Sequence, residues 1–131
     1  MKHQNVAILI VEDNDDFRQL LQSFFEKKGY LAAGVSNGSE ALEVLAGDQA
    51  ALIVLDLNMP VMDGFTAARR IREQERLRQI PIIFVTAYGT LGIELYRDVT
   101  TLEGGPIEYL PKPLDLQLLE DLMHRLIREP A

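Results

Sequence analysis

Short aliphatic runs alternate with segments of helical period along the whole chain, and this alternation limits the fold more than any other feature. Val6–Val11 is apolar throughout, as expected of a strand covered on both faces. A helix is predicted from Asn14-Asp15-Asp16, acids that suit its N-terminal dipole, with Phe17, Leu20, Leu21 and Phe24 as its apolar face and Gly29 as its stop. Residues 31–35 predict a second strand and Ser36 to Ser39 a turn. Ala41, Leu42 and Leu45 mark a short helix that stops at Gly47. Ala51–Leu55 reads as the third strand, followed by a helix from Gly64 to about Glu75 with Ala67, Ala68 and Ile71 inward. Pro81 opens a fourth strand, where a missing N–H is tolerated. Ile107–Leu110 is a short fifth strand, and a last helix runs from about Asp115 to Arg128 with Leu119, Leu122, Met123 and Leu126 on one side.

Repeats of this kind predict an α/β fold: a doubly wound five-stranded parallel sheet of order 2-1-3-4-5, helices on both faces, three layers in all. The 131 residues suffice for one such core, so the chain reads as a single domain over residues 1–131. The least regular stretch is Tyr88 to Pro106, where Gly89, Gly92, Gly104 and Gly105 stand beside β-branched residues. Leu95, Val99 and Leu102 outline a further helix there, of weak propensity.

Composition excludes several functions. A formal charge of −7 argues against nucleic-acid binding, which needs clustered Lys and Arg. Arg69, Arg70 and Arg72 form a small basic group but alternate with acids, which reads as a solvated helix face. Without cysteine there is no thiolate chemistry or disulfide framework, and a reducing cytoplasm suits the chain. No stretch approaches membrane-spanning length, and Met1-Lys2-His3-Gln4-Asn5 leads directly into a strand. Neither membrane nor nucleic acid is an expected partner.

The polar residues that end the strands carry the chemistry. Glu12 and Asp13 follow the first strand, Asp56 the third, Thr86 the fourth and Lys112 the fifth. In an open sheet of this order, ligands sit outside the carboxyl ends of strands one and three, where the winding reverses. Three carboxylates gathered there repel one another, and a hard divalent cation relieves the conflict. Magnesium (or manganese) is therefore expected, with Asp13 and Asp56 as direct ligands, Glu12 as a ligand through water and the Asn58 backbone carbonyl as a further donor. Any one of these acids alone would read as a helix cap or surface residue; the ordered set is much rarer.

Val11-Glu12-Asp13-Asn14, Asp56-Leu57-Asn58-Met59-Pro60, Met62-Asp63-Gly64, Thr86-Ala87 and Tyr109-Leu110 ahead of Lys112-Pro113 together resemble the receiver domains of two-component response regulators, over nearly the whole chain. The resemblance implies a flavodoxin-like (βα)5 fold and a role for each matching residue. Asp56 would accept a phosphoryl group from the phosphohistidine of a sensor histidine kinase or phosphotransfer protein. Lys112, the Thr86 hydroxyl and the Ala87 N–H would then bind phosphoryl oxygens. Tyr109 would be the switch aromatic that turns inward as Thr86 moves, and the Lys112–Pro113 peptide would be cis. Asn58 and Tyr88 would tune phosphate lifetime.

A downstream effector domain or protein would read the change on the surface of the fourth helix, fifth strand and fifth helix, and a homodimer is a further possibility. Here the chain departs from the family. The Thr86–Lys112 stretch is longer than usual, and Gly104-Gly105-Pro106 replaces a compact Gly-Ala turn. His3 and His124 lie away from the strand ends and read as surface residues. Such a domain would be a phosphoacceptor, not a turnover enzyme.

Three other readings compete. An aspartyl-phosphate phosphohydrolase would carry its nucleophile after the first strand, unlike this chain. A flavin mononucleotide binder would need a Ser/Thr/Gly-rich loop after strand one, whereas this loop is acidic. A receiver-shaped interaction module that is never phosphorylated is the third.

Overall fold

The computed structural model describes residues 7–57, 59, 62–87 and 102–127. Five strands, β1 (Ile8–Val11), β2 (Ala32–Val35), β3 (Leu52–Asp56), β4 (Ile82–Thr86) and β5 (Ile107–Pro111), form one sheet of order β2-β1-β3-β4-β5, every neighbouring pair parallel. The helices are α1 (Asp15–Lys27), α2 (Gly38–Gly47), α3 (Gly64–Glu73) and α4 (Leu116–Leu126), with a 3-10 turn at Glu75–Leu77. The expected fold class and strand order are those observed. The helix expected around Leu95 and Val99 lies outside the described residues.

The continuous apolar runs are explained by burial on both faces. Leu9, Val11, Ile53, Leu55, Ile82 and Phe84 point to the layer of α2 and α3. Their alternates Ile8, Ile10, Leu52, Val54, Ile83 and Val85 point to the layer of α1 and α4. Asn14, Asn37, Asp63 and Asp115 cap the four helices of the described residues, each accepting backbone N–H bonds from the first turn. On α1 the buried residues are Leu21 and Phe25, one turn apart, while Leu20 is exposed. The inward stripe is thus rotated from the expected one.

A second correction concerns the basic group on α3. Arg69 and Arg70 are exposed, but Arg72 is buried. Its guanidinium donates to the carbonyl oxygens of Arg78, Gly105 (3.1 Å) and Pro106 (3.4 Å). It stands four residues after Ala68, on the inward stripe, and ties the end of α3 to the segment that enters β5. Gly105 is required there, because a Cβ would lie 2.2 Å from the Gln79 carbonyl oxygen. The Gly-Gly-Pro sequence is therefore the part of the clamp that admits close backbone approach.

Candidate functional site

The register sets which strand ends meet. Val11 pairs with Leu55 and Asp56 with Val85, so Glu12 and Asp13 leave β1 beside Asp56, and Thr86 ends β4 next along the sheet. The Glu12 N–H donates to Val35 O at 3.0 Å and the Leu57 N–H to Val85 O at 2.9 Å, which continues the ladder past the formal strand ends. The start of α3 presses against this edge. The Gly64 N–H donates to Leu57 O at 3.1 Å, and a Cβ on Gly64 would come 2.2 Å from the Asp56 carbonyl oxygen. Glycine after the Asp63 cap is what lets the helix begin so close to Asp56.

Glu12, Asp56 and Thr86 are buried, while Asp13 is exposed. One carboxylate oxygen from each of Glu12, Asp13 and Asp56 lies within 4.8 Å of the others. Lys112 Nζ reaches Glu12 Oε1 at 3.2 Å and Asp56 Oδ2 at 3.4 Å. The Lys112 N–H also donates to Thr86 O at 2.7 Å, fixing the lysine's backbone to the end of β4. The Lys112–Pro113 peptide is cis, as the resemblance implied.

Electrostatics follow from this crowding. Burial lifts the Glu12 carboxyl to about 7; the Asn14 N–H bond to it (3.0 Å) and Lys112 oppose the rise, and the Asp56 charge adds to it. Burial works against the Lys112 ammonium, but Asp56 and Glu12 outweigh it and hold the lysine above its ordinary value. One lysine faces several acids, and the donors are all oxygen. That set suits a hard divalent cation, which Asp13, Asp56 and Glu12 would hold. The Asn58 carbonyl, expected as a further donor, lies outside the described residues, as does Tyr88.

Ala87 follows Thr86 at the exposed mouth of the site. Tyr109 is half-buried on β5, paired in register with Phe84, and burial raises its phenol pKa. His124 is exposed and sits 3.3 Å from Glu120, remote from this edge. Two residues of α1 also belong to the site. The Phe17 ring lies 4.8 Å from Lys112 Nζ, a cation–π contact over the lysine. Arg18 Nη1 donates to the Glu12 carbonyl oxygen at 2.9 Å. Sequence patterning counted Phe17 only as part of a helix face. The available signal was its position within one turn of Asp13.

Fold and site together define a class, the doubly wound α/β protein with a carboxylate-rich crevice and a lysine at its winding reversal. Over residues 8–124 the chain matches the response regulator receiver domain, and it belongs to that family, whose members act in two-component systems. It is similar to the transcriptional regulatory protein GltR of Pseudomonas aeruginosa, 35% identical over 122 residues, covering 93% of this chain and 49% of that protein. It is also similar to protein-glutamate methylesterase/protein-glutamine glutaminase 3 of Hahella chejuensis, 42% identical over 107 residues, 81% of this chain and 30% of that protein. The chain thus spans about half or less of the length of these relatives. Among solved structures it resembles the receiver domain of the sensor histidine kinase PA1611 from Pseudomonas aeruginosa, with a TM-score of 0.81 and 30% identity, covering 95% and 98% of the two chains. That structure carries a magnesium ion coordinated in its active-site cleft. Among the described residues no helix is long and apolar enough to cross a membrane.

Proposed function

We propose that this chain is a magnesium-dependent phosphoacceptor, in which Asp56 takes a phosphoryl group and the gain of charge alters a partner-binding face. The observation that carries the reading is Asp56 itself: a buried carboxylate, 3.4 Å from Lys112 Nζ, sharing its pocket with Glu12 and Asp13. An ionised aspartate needs no general base to act as a nucleophile. An Asp56 oxygen forms the new bond to phosphorus as the phosphorus–nitrogen bond of a phosphohistidine breaks. The electron pair leaves on the imidazole, which takes up a proton. When bound, magnesium supplies positive charge to the phosphoryl oxygens.

Lys112 turns from the carboxylates to a phosphoryl oxygen, and the Thr86 hydroxyl and Ala87 N–H bind the others. Each such charged hydrogen bond is worth about 1.5–3 kcal/mol, so three approach the ~5.5 kcal/mol that inverts a two-state population. Tyr109, half-buried beside Phe84, turns inward as Thr86 shifts toward the phosphate. Asn58 and Tyr88 modulate how fast water removes the group. The donor is a sensor histidine kinase or phosphotransfer protein in the cytoplasm, and the reader is an effector domain or protein, joined to this domain or separate. Residues 1–131 act as one receiver domain that accepts phosphoryl without turning over a substrate.

The test is incubation with acetyl phosphate, with and without Mg²⁺, followed by intact mass and peptide mapping. One phosphoryl group on Asp56, absent without the metal and absent in Asp56→Asn, is the expected result. Phosphoryl on another residue, or none, overturns the reading.

A further inference from the structure

Arg18 stands in the first turns of α1, and its guanidinium makes two unequal contacts. Nη2 pairs with Asp15 Oδ1 at 2.5 Å, on the exposed side, where such pairs count for little. Nη1 donates to the Glu12 carbonyl oxygen at 2.9 Å, on the side of the site, and the Arg18 side chain is only 17% exposed. The backbone of Glu12 is thereby held on either side of its Cα, its N–H by Val35 O and its C=O by Arg18. That C=O belongs to the peptide linking Glu12 to Asp13, the two residues whose carboxylates line the pocket.

Arg18 can lie there because of β2. A Cβ at Gly34 would come 2.9 Å from Arg18 Cγ, 3.1 Å from its Cδ and 3.1 Å from Gln22 Oε1. Gly34 pairs with Ile10 in the sheet and has an ordinary strand conformation, so no backbone turn calls for glycine at this position. Space for the arginine stem does.

We propose that Arg18 is a positioning residue for the Glu12-Asp13 turn, and that Gly34 is small to seat it. The inference rests on the reading of this pocket as a magnesium site, and deepens it. Two roles for Arg18 predict opposite signs. As a bare positive charge it would repel Mg²⁺, and its loss would tighten binding. As a brace on the ligand-bearing peptide, its loss weakens binding even though a repulsive charge has gone.

The experiment compares Arg18→Gln, which removes charge and brace, with Gly34→Ala, which displaces the stem and keeps the charge. Asp15→Asn, which removes only the exposed ion pair, is the control. Mg²⁺ affinity is read by titration calorimetry, and hydrogen exchange of the Asn14 amide, bonded to the Glu12 carboxylate, is read in metal-free protein. Both Arg18→Gln and Gly34→Ala are expected to weaken Mg²⁺ binding roughly tenfold, the scale of groups that orient metal ligands, and to speed Asn14 exchange. Asp15→Asn should leave both near wild type. Tighter or unchanged Mg²⁺ binding in Arg18→Gln, or wild-type behaviour of Gly34→Ala, overturns the proposal. If wild type takes up no Mg²⁺, the site reading itself falls, and Asn14 exchange alone then decides: unchanged rates in both variants overturn the brace. Gly34→Ala asks only flexible side chains to move, so it keeps the test decisive should Arg18→Gln fold poorly.

Discussion

The two ends of the sheet bury charge in opposite ways. At the end where the strands begin, the Arg72 guanidinium is surrounded by backbone carbonyls of Arg78, Gly105 and Pro106 and faces no carboxylate in these contacts. At the end where the strands finish, Glu12 and Asp56 lie buried against each other and share one lysine. The first arrangement holds the charge through its two terminal nitrogens with backbone groups that cannot leave, so it serves the fold. The second holds like charges together and has Asp13 at its open side, so it favours binding and chemistry. Buried charge alone does not identify a site; the nature of the partners does.

That contrast can be broken at either end. Replacing Lys112 with Met removes the only cation that ion-pairs with Glu12 and Asp56 among the described residues. Phosphoryl uptake from acetyl phosphate should slow about a hundredfold or more, the cost of deleting one charge-stabilising donor, while Mg²⁺ binding persists. An unchanged rate would mean that the lysine is structural. At the other end, Arg72→Met should lose about 3 kcal/mol in urea unfolding, because buried carbonyls lose their charged donor. Its phosphoryl uptake should match wild type at a temperature where both are folded. A slowed reaction there would show that the two ends are coupled. The smallest effect is expected from the α3 cap that stands beside the site without facing it: Asp63→Ala removes the bonds to Thr66 and should cost about 1 kcal/mol, again read by urea unfolding. A loss well beyond that would mean the cap also holds the Asp56 loop.

Much of the fold and of the candidate site is legible in the sequence, for a physical reason. Strands covered on both faces must be apolar throughout, so Ile8–Val11, Leu52–Leu55 and Ile82–Val85 stand out, and whatever polar residue ends each run stands out as well. Glu12, Asp13, Asp56, Thr86 and Lys112 are visible in that way. Contacts across the packing are not. Arg72 resembles any surface arginine until Gly105 and Pro106, more than thirty residues on, close over it. Phe17 and Arg18 look like ordinary helix residues because their partners, Lys112 and the Glu12 carbonyl, are reached only through the fold. Leu20 is exposed although its spacing predicts burial, because helical period fixes spacing better than phase.

We propose that Glu12, Asp13 and Asp56 tolerate one another because their pocket binds a divalent ion. Calorimetric titration of the metal-free protein with Mg²⁺ at neutral pH tests it most directly. One ion bound per chain, with binding abolished in Asp13→Asn, is the expected result; no heat of binding, or equal binding in that variant, would contradict it.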